Sequence, residues 1–101
     1  MDRRIELHNL LKELLGSNEV YFQKPENRRM NYPAIIYSSS RPRIIYADNI
    51  KYFKKKAYSV IVIDRDPDSE ISEKISELEH CTLERSYSAD NLNHFVYTLY
   101  F

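Results

Sequence analysis

Ala57-Tyr58-Ser59-Val60-Ile61-Val62-Ile63-Asp64 decides the fold class. Side chains alternate across a strand, so Tyr58, Val60 and Val62 share one face while Ser59, Ile61 and Ile63 share the other. Both faces turn apolar toward the end of the stretch. That predicts a central strand covered on at least one side by helix. Downstream, Asp66 is placed to cap a helix with Pro67 at its first position. Ile71, Ile75 and Leu78 then space as i, i+4, i+7, predicting an amphipathic helix to about Glu79. Upstream, Lys54-Lys55-Lys56 reads as a solvated start to the strand, or as a guard beside an aggregation-prone segment.

The rest of the chain supplies partners for that strand. From Asp2 to Leu15, residues Ile5, Leu7, Leu10, Leu11, Leu14 and Leu15 form a wide stripe at the helical period, with Gly16 placed to cap the C-terminus. Val20, Tyr21 and Phe22 predict a short strand that stops at Lys24-Pro25, since proline cannot continue a central ladder. Pro25 to Asn31 reads as a loop, and Ala34 to Ser38 as the next strand. Cys81 to Tyr87 predicts a strand, Ser88 to Asn93 a turn centred on Asp90-Asn91, and Phe95 to Phe101 the last strand. The order helix, strand, strand, strand, helix, strand, strand predicts an α+β fold. It is a mainly antiparallel sheet with two helices packed on one face, and residues 1–101 form one domain.

Arg41 to Phe53 does not resolve so simply. Arg41, Arg43 and Lys51 alternate loosely with Ile44, Ile45, Tyr46, Ile50, Tyr52 and Phe53. A long inter-strand segment carrying apolar residues tends to be functional. An ordinary hairpin arm packed on its own sheet fits the same pattern.

Composition narrows the function classes. Fifteen basic residues balance fifteen acidic ones. A domain that grips nucleic acid by neutralising phosphates is normally clearly basic, so the balance argues against that role. No apolar run approaches the roughly 20 residues needed to span a bilayer. The start MDRRIELHNLL is charged and lacks a small-residue cleavage site, which predicts no signal peptide and a cytoplasmic setting. The lone Cys81 agrees, since it cannot build an internal disulfide framework. Nine tyrosines suit strands, and they also suit surfaces that are dry on one side and wet on the other, as at protein interfaces.

Catalytic and metal motifs are incomplete. Asp64, Asp66, Asp68 and Glu70 resemble the start of a calcium loop, but Ser69 stands where the turn glycine belongs and Ile75 where the bidentate glutamate belongs. Each carboxylate also has a structural use at a strand end or a helix start. His8, His80 and His94 fall on three elements without a second ligand at metal spacing. A Cys81–His94 nucleophile pair is conceivable if adjacent strands bring the two together, yet a cysteine within a β pattern is usually a small buried hydrophobe. Gly16, the only glycine, follows the first helix, so no glycine-rich phosphate loop can form. The expectation is a protein without enzymatic activity, cofactor or metal.

Four stretches carry a resemblance. Asn31-Tyr32-Pro33-Ala34-Ile35-Ile36-Tyr37, Tyr46-Ala47-Asp48-Asn49, Tyr58 to Asp64 with Pro67-Asp68-Ser69, and Ser88-Ala89-Asp90-Asn91-Leu92-Asn93-His94 together look like the small tail-completion proteins of long-tailed phages and prophages. These are also called tail terminator or tail-to-head joining proteins. The resemblance covers nearly the whole chain and rests on packing and turn signatures. It implies an α+β protomer that assembles as a hexameric ring at the head-proximal end of the tail tube. Its partners would be copies of itself, the tail tube protein and the head-connector protein, with DNA at most passing through the ring lumen. No catalytic residue is carried over. The family's long inter-strand loop corresponds to Arg41 to Phe53, which makes Arg41, Arg43, Ile44, Ile45, Tyr46 and Tyr52 the expected interface residues. Ile44, Ile45 and Tyr46 are expected to serve association more than folding. A small intracellular binding or regulatory adaptor domain is the alternative on the same residues.

Overall fold

The computed structural model describes residues 3–23, 31–40 and 56–101. Helix α1 (Arg3–Leu15) leads into β1 (Val20–Phe22), followed by β2 (Ala34–Ser39), β3 (Ala57–Asp64), α2 (Glu70–Ser76), β4 (Cys81–Ala89) and β5 (Leu92–Tyr100). The five strands form one sheet in the order β1-β2-β3-β5-β4. β1 runs parallel to β2, and every other neighbouring pair is antiparallel. The fold is therefore α+β with a mostly antiparallel sheet.

β3 is the central strand that its alternation predicts. Tyr58, Val60 and Val62 are buried in one cluster with Ile35 and Tyr37 of β2 and Tyr97 and Leu99 of β5. Register explains the grouping, because Tyr37 and Tyr97 both stand opposite Val60, and residues opposite one another share a face. Leu7, Leu11 and Leu15 of α1 and Ile75 of α2 belong to the same cluster, so both helices contact this face.

Two tyrosines tie the helices to it by polar contacts. The Tyr37 hydroxyl lies 2.8 Å from His8 Nδ1 of α1. On the other helix, the Tyr97 hydroxyl donates to the Ser72 carbonyl at 3.0 Å, and the Ser72 side chain completes a second hydrogen bond with it. Burial raises the Tyr97 pKa above its ordinary value. A buried tyrosine is stable only when its hydroxyl finds partners, and here the partner is the helix that covers it.

Helix α1 corrects one expectation. Leu7, Leu11 and Leu15 are buried at i, i+4 and i+8, whereas Ile5 is 56% exposed. At 100° per residue, two positions place Ile5 about 200° from Leu7, on the opposite side of the helix. Gly16 ends the helix as expected, with φ +78° and its N–H donating to the Lys12 carbonyl at 2.8 Å.

Helix α2 is shorter than the spacing of its apolar residues predicts, and its cap is Ser69 rather than Asp66. The Ser69 hydroxyl accepts from the Ser72 N–H at 3.2 Å. Asp66 instead accepts from the Asp68 N–H at 2.9 Å, and Asp64 from the Asp66 N–H at 3.1 Å. Those two carboxylates fold the chain into successive local turns, which compete with a helix start. Pro67 is thus a turn residue. Leu78 still packs against the core from beyond the helix end.

The β4–β5 hairpin is tighter than expected. β4 runs to Ala89 and β5 starts at Leu92, leaving only Asp90 and Asn91 between them. Their φ values are +52° and +61°. Two successive positive φ angles make a type I′ turn, which matches the strand twist, and Asp and Asn are among the residues that tolerate it.

His8 gives the fold a pH dependence. Burial, then the charges of Lys12 and Arg4, hold its pKa below the usual 6.5. Above that value the ring is neutral in both folded and unfolded chains, and its packing contributes in full. As the pH falls through 6.5 the unfolded chain takes up the proton first, so stability declines. Urea midpoints are expected to drop between pH 7.5 and 5, above the range where carboxylates titrate. His8→Gln is expected to flatten that slope. An unchanged slope would assign the effect to another group.

Candidate functional site

Two surfaces of the sheet stand out once the core face is accounted for. The first is the β4 edge. β4 is nine residues long and every residue after Cys81 is exposed. Leu83 and Tyr87 are 51% and 42% exposed, large values for such side chains. Among the described residues β4 is the outermost strand on its side of the sheet, and such a strand presents one row of backbone N–H and C=O groups that can pair with another chain. β4 also carries two of the features by which natural sheets limit indiscriminate edge pairing. Its register shifts between Leu83 and Arg85, placing Glu84 at a bulge, and Glu84 and Arg85 put opposite charges side by side at mid-strand.

The second surface is the sheet face opposite the core cluster. One cross-strand row reads Ala34–Ile63–His94–Tyr87, and the next reads Ile36–Ile61–Val96–Arg85. A cleft of about 200 Å³ lies over these rows. Ile36, Ile61, Ile63 and Leu92 supply its apolar lining, and Tyr32, Tyr87, His94 and Asp90 supply its polar groups. Tyr87 and His94 stack with ring centroids 4.7 Å apart and planes only 8° from parallel. The Arg85 guanidinium lies 5.4 Å from the centre of the Tyr87 ring, within cation–π range. His94 Nδ1 is shielded from solvent and has no hydrogen-bond partner. Leaving a polar atom in that condition costs about 1–3 kcal/mol.

The residues singled out in the sequence divide three ways. Arg41, Arg43, Ile44, Ile45, Tyr46 and Tyr52 lie outside the described residues, as do Lys54 and Lys55 and most of the loop expected before Asn31. Cys81 and His94 are described and do not meet. Cys81 stands opposite Leu99, five residues along β5 from His94, so the two are about 17 Å apart along the strand and on opposite faces. Burial also pushes the Cys81 thiol up to about 11, which keeps it protonated near neutral pH, the reverse of an activated nucleophile. Asp64 and Asp66 are engaged in the local turns described above, and among the described residues no group of three or more His, Cys, Asp or Glu could hold a metal ion.

Tyr87, Asp90 and His94 were not legible as a site in the sequence, although one signal pointed to their face. Ile61 and Ile63 make the second face of β3 apolar, and an apolar face needs a cover or a ligand. Reading the same parity across Ile36, Val96 and Leu92 requires the sheet order, which local pattern does not contain.

Among the described residues, no helix is long and apolar enough to cross a membrane. Compared with protein-family models, curated proteins and solved structures, the chain matches none of them.

Proposed function

We propose that this chain is a structural assembly protein that joins copies of itself through the β4 edge. Its place would be the tail–head junction of a long-tailed phage or prophage. In that role a ring of copies, six in the resembling family, caps the tail tube and presents a surface to the head connector. Assembly would take place in the host cytoplasm before the ring becomes part of the virion. The observation that carries the reading is β4 itself, nine residues that form the outermost strand among the described residues, with Leu83 and Tyr87 exposed. Edge pairing gives affinity through backbone hydrogen bonds and specificity through alternate side chains. A head-to-tail contact whose rotation closes makes a ring. The small core is consistent with this, since association adds stability that a domain of this size lacks alone.

The same edge supports a second reading, a small adaptor that adds an extended peptide from another protein to its sheet. Sedimentation and electron microscopy of the purified chain, alone and with tail tube protein, separate the two. Closed rings that seat on tube ends support the first. Monomers at high concentration that ignore tubes exclude it.

A further inference from the structure

We infer that the cleft beside β4 is a socket for one cationic side chain, an arginine or lysine presented by a second copy of this chain. The second-copy part rests on the assembly reading above; the socket itself rests on its own geometry.

Size sets the first limit. Clefts that hold drug-sized ligands measure roughly 300–1,000 Å³, and this one is about 200 Å³, closer to a single side chain. Its lining sets the chemistry. Ile36, Ile61, Ile63 and Leu92 offer an apolar wall of the kind that accepts the methylene stem of a long basic side chain. Asp90 is the one charged residue among the described residues of the lining, and its carboxylate calls for a positive group. Arg85 lies on the Tyr87 ring from the neighbouring row and opposes a second cation there, so an incoming cation is drawn to the Asp90 end of the cleft.

Position connects the socket to the edge. Tyr87 belongs to β4 and Asp90 to the turn that ends it, so a copy aligned along β4 has side chains within reach of the opening.

The test uses the full chain with isotope-labelled isoleucine and leucine methyl groups, titrated with blocked arginine (N-acetyl-arginine methylamide) and, separately, with blocked norleucine. Saturable shifts at Ile61, Ile63 and Leu92 with the first and none with the second are expected. Asp90→Asn removes the charge while keeping a residue that tolerates positive φ, so the fold should persist. It is expected to weaken blocked-arginine binding at least tenfold and to weaken self-association, followed by sedimentation, at least tenfold. Absent shifts, or shifts that Asp90→Asn leaves unchanged, overturn the socket. Binding that Asp90→Asn weakens, in a chain whose rings form as before, overturns the second copy as the occupant and leaves the assembly reading standing. Binding in a chain that never associates overturns the second copy and the assembly reading together.

Discussion

Replacing Leu11 with alanine is expected to destabilise the fold by about 2–5 kcal/mol, the usual range for emptying a fully packed leucine site. Leu11 has no exposed surface and lies at the middle of the Leu7–Leu11–Leu15 line that α1 lays against the sheet. Its neighbours in the cluster come from β2, β3 and β5 as well as α2. Such a site relaxes poorly, because filling the gap from one strand opens another. Domains of this size have a total stability of about 5–15 kcal/mol, so the loss is a large share of it. With about 4–8 °C lost per kcal/mol in domains of this size, the melting temperature should fall by more than about 8 °C. Paired urea and thermal unfolding of wild type and variant measure this directly. A loss below about 1 kcal/mol would mean that α1 does not seal the core.

The second large effect is expected at the edge, and it concerns assembly rather than folding. Leu83→Lys together with Ser86→Lys sets two positive charges along the outer strand. Lysine is a common means of keeping an edge from pairing. Both positions are exposed, and exposed substitutions usually shift stability by no more than about 0.5 kcal/mol each. Self-association is expected to fall by about two orders of magnitude while the unfolding midpoint barely moves. Asn9→Lys with Asn18→Lys, exposed and away from β4, controls for the change in net charge. If the control pair weakens association as much as the edge pair, the edge is not the contact. If the edge pair leaves association intact, another surface carries it.

The parts of this fold that were legible in the sequence are those written in short-range pattern. Alternation over Tyr58 to Ile63 gave both faces of β3 their correct sides, and the wide stripe from Ile5 to Leu15 contained the buried Leu7, Leu11 and Leu15 of α1 while wrongly including Ile5. Where several groups compete for one task, pattern was not enough. Asp64, Asp66, Asp68 and Ser69 each offer an oxygen to nearby N–H groups, and only the folded backbone decides that Ser69 caps α2. Properties of the whole sheet were hidden for a different reason. β4 reads much like any strand in sequence, and its place at the edge depends on β3 pairing with β5 across an intervening helix and strand. The cleft inherits that dependence, since its two rows draw on β2, β3, β5 and β4 at once. The idea of a Cys81–His94 pair failed on parity, because adjacent strands are not sufficient when the residues point to opposite sides.

The exposure of β4 also grades the sheet in how readily it opens. Separating a strand costs the hydrogen bonds and apolar contacts that it gives up, so local opening free energies follow burial. β3, with pairing on both sides and buried residues on both faces, can part only when the whole molecule does. β4 gives up little apolar contact when it peels from β5, since almost every one of its side chains already meets solvent. The strand best placed to receive another chain is therefore also the one whose shape can be adjusted at least cost while that chain docks.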